Sequence, residues 1–300
     1  MRIRLLHLTL CLTSATLGAA IPNAAQSQAS RAAASAPARS GYADVNGLHM
    51  YYEVHGGSTS RPPLVLLHGG GSTIGTNFAR VLPLLSASRQ VIAVEMQAHG
   101  HTRDVDRPFT FEQCAEDVAA LLTQLHIAKA DVFGFSNGGT TALQLASHHP
   151  AMVNRLIIGS ANYKRSGMQD WFWPAMEKGT FADMPKPYAD AYLKINPSQE
   201  GVHAMHDRDL KRMLAFVDIP DSVIHAIQAP SLVIVGDRDV VRAEHAIELS
   251  RLLPHGRVSI LPGGHGEYLG EITFPNVDDR MLRVFVTLAD EFLTSPINEP

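Results

Sequence analysis

The chain has 300 residues, of which 45% are hydrophobic and 18% are charged, and its formal net charge is −4. This composition is typical of a soluble globular protein, and the length fits one large α/β domain with an insertion. The negative charge argues against a nucleic-acid partner, which usually requires a basic face, and nothing in the composition supports binding to a membrane surface.

Residues 1–29 have the pattern of a secretory signal peptide. Arg2 and Arg4 precede an apolar stretch that begins at Leu5 and ends near Ala20, and small residues follow it. The stretch is shorter than the roughly 20 apolar residues that a membrane span requires. We therefore expect a periplasmic or secreted protein with no membrane span. Residues 30–40 are predicted to form a disordered linker.

Removal of the signal peptide would leave Cys114 as the single cysteine, which therefore has no internal disulfide partner. Cys114 lies in FEQCAEDVAALLTQL, which has the pattern of an amphipathic helix. No cysteine-centred catalytic motif surrounds it, so we interpret it as a small buried hydrophobic residue.

Short apolar runs alternate with helical patterns along the rest of the chain. The predicted strands span 48–56, 63–70, 89–96, 130–136, 156–161, 231–237 and 257–263, and the predicted helices span 75–86, 110–126, 137–149, 242–253 and 278–294. The inner runs are apolar throughout rather than at every second residue, which predicts a mostly parallel, doubly wound α/β sheet covered on both faces. Such sheets bind ligands at the carboxyl ends of their strands.

Residues 162–228, called the cap segment below, interrupt this alternation. They contain Trp171, Phe172 and Trp173 together with several methionines and prolines, and no buried-strand run. We predict a helical cap inserted between two core strands, with the core formed by 41–161 and 229–300. Met168, Trp171 and Trp173 are candidate substrate-binding residues, because aromatic and methionine side chains suit a bulky apolar ligand. The same residues could instead pack the cap onto the core.

Ser136 is the candidate nucleophile. It lies in GFSNGG, at the end of the predicted strand 130–136 and directly before a predicted helix. The order strand, Gly-x-Ser-x-Gly, helix is typical of a nucleophile elbow, in which a sharp turn exposes the serine at the helix N-terminus.

A serine nucleophile needs a base and an acid that orients the base. His265, in the loop sequence LPGGHG after the last predicted strand, is preferred as the base over His255, which leaves a helix in a surface turn. Asp239 is preferred as the acid over Asp237, because Asp237 directly continues a strand whereas Asp239 lies in the loop, where its side chain can turn toward the histidine.

The backbone amides of Gly70 and Asn137 are the candidate oxyanion donors. Asn137 follows the candidate nucleophile, and Gly70 lies in HGGGS (68–72), at the end of the predicted strand 63–70. A glycine run can also hold a phosphate, but the chain has neither GxxxxGK[ST] nor a GxGxxG that opens a helix, so no nucleotide site is predicted.

From Gly41 onward the chain resembles the α/β-hydrolase superfamily. The segments that carry the resemblance are, in order, LVLLHGGGST, VIAVEMQAHGHT, FGFSNGG, GDRDVV and LPGGHG. The resemblance implies Ser136 as nucleophile, His265 as base, Asp239 as acid, and Gly70 and Asn137 as oxyanion donors. Glu95 stands where many members have Asp, and we expect it to brace the following loop. HGGGST, AHGHT and FGFSNGG also resemble serine-dependent macrolide esterases.

Two histidine groups have spacings that a metal site could use. They are His99 with His101, and His203 with His206 and Asp207. We predict structural roles for both, since the chain lacks a Cys/His cluster typical of a metal site, and we expect no cofactor.

These residues together predict a serine hydrolase that acts on a small-molecule carboxylic ester or lactone. A carbon–carbon bond hydrolase uses the same triad and stays open as an alternative. A non-catalytic binding protein on the same fold is a second alternative, although such proteins usually lose a triad member.

Overall fold

The protein, described here from a computed structural model, is defined over residues 36–296. The predicted signal peptide and residues 30–35 of the predicted linker lie outside the described residues. The end of the linker prediction is wrong, because the first strand already begins at Arg39 and pairs with the second.

Within residues 36–296, eight strands form a single sheet. They are β1 (Arg39–Val45), β2 (Leu48–His55), β3 (Leu64–Leu67), β4 (Val91–Val94), β5 (Ala130–Phe135), β6 (Val153–Gly159), β7 (Ser231–Gly236) and β8 (Gly256–Leu261). Their order across the sheet is β1-β2-β4-β3-β5-β6-β7-β8. The β1–β2 and β2–β4 pairs are antiparallel, and every later pair is parallel, from β4–β3 to β7–β8.

Helices cover both faces of this sheet. They are α1 (Ile74–Phe78), α2 (Leu82–Leu85), α3 (Phe111–Gln124), α4 (Asn137–His148), α5 (Phe172–Lys178), α6 (Lys186–Ile195), α7 (Gln199–Leu214), α8 (Asp221–His225), α9 (Ala243–Leu252) and α10 (Asp279–Thr294). Short 3-10 turns span Pro150–Met152, Arg165–Gly167, Phe181–Asp183 and Glu267–Leu269.

The alternation of side chains along each inner strand divides the core into two layers. In β3, Val65 and Leu67 pack with side chains of α3, α4 and α9, whereas Leu64 and Leu66 pack with those of α1, α2 and α10. Both faces of the strand are buried, which explains why its sequence is apolar throughout. The predicted doubly wound α/β-hydrolase architecture is confirmed.

The cap segment contains α5–α8, and this fully described part of the chain has no strand beyond a single bridge between Met168 and Val241. Its end differs from the prediction. Ile219, Ile224 and Ile227 are buried in the layer formed by α3, α4 and α9. Residues 219–228 therefore pack on the sheet, because their apolar side chains complete the core there.

No helix among residues 36–296 is long and apolar enough to cross a membrane. Cys114 is 1% exposed, which confirms that it is a buried core residue.

Candidate active site

Ser136 occupies a strained turn between β5 and α4. Its backbone has φ 54° and ψ −122°, in a region that residues other than glycine rarely adopt. The glycines on either side allow close backbone contact: a Cβ at Gly134 would lie 2.1 Å from the Gly138 carbonyl oxygen, and one at Gly138 would lie 2.1 Å from the Leu67 carbonyl oxygen. The Gly-x-Ser-x-Gly spacing is therefore a steric requirement of this turn.

The structure brings Ser136, His265 and Asp239 together at the carboxyl end of the sheet. Ser136 Oγ lies 3.0 Å from His265 Nε2, and His265 Nδ1 lies 2.7 Å from Asp239 Oδ1. The three side chains follow β5, β8 and β7, whose carboxyl ends share one edge of the sheet. An imidazole that donates from Nδ1 to a carboxylate leaves Nε2 free to accept the serine proton.

Asp239 and Asp237 have different surroundings. Asp239 is 4% exposed and accepts hydrogen bonds from Ser160 Oγ at 2.6 Å and from the Val241 amide at 3.1 Å. Asp237 is exposed, and its carboxylate accepts from the Gly263 amide at 2.7 Å. Asp239 thus faces the His265 ring. Asp237 instead binds the Gly263 amide, in the loop that precedes His265.

His255, the alternative base, lies in the turn between α9 and β8, where its carbonyl accepts the Ser231 amide at 3.0 Å. The His265 ring instead packs against Phe135, with ring centroids 4.9 Å apart.

The charges of Asp239 and His265 stabilise each other. Burial lowers the pKa of His265, but the negative charge of Asp239 and its hydrogen bond outweigh this, so the pKa of His265 lies above its ordinary value. Burial raises the pKa of Asp239, but His265 and the hydrogen bonds from His265, Ser160 and the Val241 amide hold it below its ordinary value. Asp239 is therefore ionised at neutral pH.

The loop of residues 69–71, called the glycine loop below, follows β3 and lies beside Ser136. The Gly69 amide donates to Asn77 Oδ1 at 2.7 Å, and the Gly71 amide donates to Asp209 Oδ2 at 2.5 Å. The Gly70 amide between them makes no hydrogen bond within residues 36–296. A Cβ at Gly70 would lie 2.5 Å from Asn137 Nδ2, so the glycine loop and the start of α4 are in close contact.

Asn137 is the first residue of α4, and its amide is one of the N–H groups that a helix leaves without an internal partner. It likewise donates to no other described group. The two predicted oxyanion donors thus both have free N–H groups, and the positive end of the α4 dipole lies at Ser136.

The three candidate substrate-binding residues are dispersed. Met168 is buried and pairs with Val241, next to the loop that carries Asp239. Trp173 lies parallel to Phe216 at a centroid distance of 6.4 Å and donates from Nε1 to the Arg165 carbonyl at 2.7 Å. Trp171 is 58% exposed. The described ring contact of Trp171 is with its neighbour Phe172, whereas Trp173 also packs against buried core residues. The role of both tryptophans toward a substrate stays a prediction.

The histidines with metal-like spacing have protein partners. His99 Nε2 lies 2.8 Å from Asp209 Oδ2, and His101 Nδ1 lies 2.8 Å from Glu95 Oε2. Glu95 also accepts the His101 amide at 2.6 Å, which confirms that it braces the loop after β4.

In the cap segment, His203 stacks on Phe181, and His206 Nδ1 lies 2.8 Å from Asp207 Oδ1. Within residues 36–296 no three His, Cys, Asp or Glu side chains are grouped as a metal ion would require.

Comparison with known proteins agrees with this fold. A family model described as the alpha/beta hydrolase fold matches residues 62–203. The structure is similar to that of the enol-lactonase from Burkholderia xenovorans LB400, with a TM-score of 0.66 and 24% identity over 85% of this chain and 100% of that chain. The chain has the α/β-hydrolase fold.

Two curated relatives match over shorter parts of their length. The dihydrolipoyllysine-residue acetyltransferase component of the acetoin cleaving system from Pseudomonas putida is 30% identical over 241 residues, which are 74% of this chain and 63% of that protein. The 2-hydroxymuconate semialdehyde hydrolase of Pseudomonas sp. (strain CF600) is 39% identical over 103 residues, which are 33% of this chain and 36% of that protein. This α/β-hydrolase chain thus spans less than two thirds of both.

Three polar residues at the α/β-hydrolase site were not predicted from the sequence. Ser160 follows β6 and donates to Asp239, and its position at a strand end is a signal that could have identified it. Asn77 and Asp209 hold the amides that flank Gly70. Both lie within helices, and nothing in their local sequence indicates which loop they contact.

Proposed function

We propose that this α/β hydrolase cleaves a carboxylic ester or a lactone through a covalent acyl-enzyme, with Ser136 as nucleophile, His265 as base and Asp239 as acid. The observation that carries the proposal is the continuous chain of hydrogen bonds from Ser136 Oγ through His265 to Asp239. The free amides of Gly70 and Asn137 beside Ser136 support it, because a tetrahedral intermediate needs donors for its oxyanion.

In this mechanism His265 Nε2 takes the Ser136 proton while Oγ bonds to the ester carbonyl carbon. The carbonyl oxygen becomes negative and accepts hydrogen bonds from the Gly70 and Asn137 amides. His265 returns the proton to the departing alcohol, which in a lactone stays attached to the acyl group. A water that transfers its proton to His265 then attacks the acyl carbon, and the acid and free Ser136 are released.

The substrate class rests on the cap segment and on the relatives. An enol-lactonase is among the similar structures, and the glycine-run and elbow motifs resemble those of macrolide esterases. We propose a bulky apolar ester or lactone, since the cap segment carries Met168, Trp171 and Trp173. Carbon–carbon bond cleavage is the second candidate, favoured by the 39% identity to 2-hydroxymuconate semialdehyde hydrolase over 103 residues.

The test uses the protein purified without its predicted signal peptide. The substrate panel contains p-nitrophenyl acetate, a long-chain p-nitrophenyl ester, a small lactone, a macrolide and 2-hydroxymuconate semialdehyde. Labelling by a fluorophosphonate probe measures the reactivity of Ser136 separately from turnover. Ser136→Ala is the matched variant, and we expect it to lose on the order of 10⁶-fold in kcat with the fold intact.

The outcomes separate the candidates. Ester or lactone turnover that disappears in Ser136→Ala supports the proposal. Turnover of the semialdehyde alone favours carbon–carbon hydrolysis. Ser136→Ala with even a tenth of the wild-type activity removes Ser136 from the mechanism, and an unlabelled, inactive wild type favours a binding protein. We also propose export, which N-terminal sequencing of the processed protein would test.

A further inference from the structure

Asp209 links the cap segment to the glycine loop. It lies on α7, is 8% exposed, and its Oδ2 accepts the Gly71 amide at 2.5 Å. The same oxygen lies 2.8 Å from His99 Nε2, and Oδ1 accepts a hydrogen bond from Arg212. One buried carboxylate therefore joins a cap helix, the loop after β4 and the loop after β3.

The glycine loop is held from two sides. On the core side, Asn77 of α1 accepts the Gly69 amide, and on the cap side Asp209 of α7 accepts the Gly71 amide. A run of glycines has more backbone freedom than any other sequence, so its conformation must be imposed by contacts. The two anchors flank Gly70, whose amide is left free, and each peptide unit between them is planar. Together they restrict the direction of the Gly70 N–H.

Asp209 is suited to this contact by its charge. Burial alone would raise its pKa, but His99 and Arg212, followed by the hydrogen bonds from His99 and the Gly71 amide, hold the pKa of Asp209 far below its ordinary value. The carboxylate is thus ionised, and its hydrogen bond from Gly71 is of the stronger, charge-assisted kind. The Arg212 guanidinium also offsets a negative charge that would otherwise oppose an oxyanion at the glycine loop.

Arg212 is itself fixed in place. Its guanidinium lies 4.1 Å from the centre of the Phe109 ring and 4.6 Å from that of Phe111. Phe109 precedes α3, and Phe111 is its first residue. These contacts therefore attach Arg212, and with it Asp209, to the core. The position of Asp209 is therefore determined by packing between the cap segment and the core.

We propose that Asp209 is a positioning residue that sets the Gly70 amide for the oxyanion, so that the active site is complete only when α7 is docked. The proposal rests on the proposed function, because it assigns a role in that same oxyanion site. Asp209 acts through the glycine loop and does not touch the reacting atoms.

The chain offers a matched control on the same helix. Asp104 accepts a hydrogen bond from Arg208 Nε of α7 at 2.9 Å and another from Gln97 at 2.7 Å. This ion pair also attaches α7 to the loop after β4, but it has no hydrogen bond to the glycine loop. Asp104→Asn therefore removes one charge contact of α7, while the bonds of Arg208 to the Arg107 and Val105 carbonyls and both glycine-loop anchors stay in place.

The experiment compares wild type, Asp209→Ala, Asp209→Asn and Asp104→Asn. The measurements are kcat and KM for p-nitrophenyl acetate, the affinity for a boronic acid that forms a tetrahedral adduct with Ser136, circular dichroism and Tm. Loss of one oxyanion donor costs about 10²–10³-fold in kcat in a serine protease. We expect Asp209→Ala to lose about 10²-fold in kcat with little change in KM, and to lose boronic acid affinity in proportion.

Asp209→Asn should be affected less than Asp209→Ala, because its amide oxygen can still accept the Gly71 N–H. Asp104→Asn should keep kcat and boronic acid affinity within about threefold of wild type, whatever its Tm.

The failures of the two proposals are distinguishable. If the wild type is active and Asp209→Ala is equally active, the positioning role is overturned and the proposed function stays intact. The same holds if Asp104→Asn loses as much kcat as Asp209→Ala does. Should Asp209→Ala not fold, Asp209→Leu takes its place, because leucine is similar in size and has no acceptor for the Gly71 amide. Wild-type kcat and boronic acid affinity in that variant overturn the positioning role as well. A wild type that neither turns over an ester nor binds the boronic acid overturns both.

Discussion

At Ser136 the backbone is held in a conformation that glycine would adopt more easily. Such positions cost on the order of 1–3 kcal/mol, and here the surrounding hydrogen bonds impose it. The Ser136 amide donates to the Gly159 carbonyl at 2.8 Å, and the Gly139 amide donates to the Ser136 carbonyl at 2.8 Å. The strain is thus maintained by β6 and α4, and it keeps Oγ directed at His265.

Replacement of Ser136 by glycine should therefore release strain. We expect Ser136→Gly to be more stable than Ser136→Ala by about 1 kcal/mol, because the relief exceeds the entropy that glycine loses on folding. Both variants lack the proposed nucleophile, so the comparison isolates the backbone. Urea unfolding measures the difference, and a Ser136→Gly variant less stable than Ser136→Ala would show that the turn is not strained.

The contact between Asp239 and His265 predicts how activity depends on pH. His265 must be neutral to act as base, and Asp239 raises its pKa, so activity should fall below a midpoint that lies above the ordinary histidine value of about 6.5. Asp239→Asn removes the charge that favours imidazolium. The midpoint of the remaining activity should then move to lower pH, and kcat should fall by up to about 10⁴-fold.

Asp237→Asn is the matched control for this prediction, since Asp237 is exposed and contacts the Gly263 amide and Arg238 rather than His265. Its pH profile of kcat/KM should keep the wild-type midpoint. A larger loss in Asp237→Asn than in Asp239→Asn would reverse the assignment of the acid.

At the scale of elements, a small aromatic cluster attaches the cap segment to the core. Trp173 packs parallel to Phe216, and the Arg165 guanidinium lies 3.7 Å from the centre of the Trp173 ring. Phe216 in turn meets Phe111 of α3 edge to face. These contacts connect α5 and the end of α7 to the core, whereas the exposed Trp171 adds little to them.

Trp173→Ala should therefore destabilise the protein by about 2 kcal/mol, below the cost for a fully buried tryptophan, and Trp171→Ala by less than about 1 kcal/mol. Should these tryptophans also bind substrate, each variant would lose more kcat/KM on a bulky ester than on p-nitrophenyl acetate. Urea unfolding and both kcat/KM values are measured in each variant. Equal losses on the two esters would mean that the tryptophans only hold the cap segment in place.

For the whole molecule, Cys114 reports whether the cap segment and core unfold together. Its thiol is 1% exposed, and burial raises its pKa to about 12. Arg212 of α7 covers it, with Nη1 3.6 Å from Sγ. A thiolate is the reactive form, so a thiol reagent can reach Cys114 only after the structure opens.

We expect the rate of labelling by a thiol reagent to rise with urea as steeply as global unfolding does. The protein without residues 1–29 is used, so that Cys11 does not contribute. Labelling that is faster and less dependent on urea would show that α7 opens while the sheet stays folded.

Much of this architecture follows from short-range patterns in the sequence. Apolar runs bounded by glycine predict buried strands, and parallel strands in one sheet place their carboxyl ends along one edge. Ser136, His265 and Asp239 each follow such a run, so their proximity could be inferred without coordinates. The Gly-x-Ser-x-Gly spacing is equally local, because its glycines meet backbone only a few residues away or on the adjacent strand.

Other features depended on the tertiary structure. β1 begins inside a segment that composition assigns to a linker, because only its pairing with β2 makes it a strand. Residues 219–228 join the core because their isoleucines are buried together with apolar residues of α4 and α9. The contact of Asp209 with Gly71 joins residues 138 positions apart, and the sequence of a polar helix does not indicate which distant loop it meets. The sequence by itself thus determined the inner parallel strands and the three residues that follow their carboxyl ends, since each depends on neighbouring residues. Only the folded chain decided how the cap segment holds the glycine loop, because that depends on how separately formed elements pack.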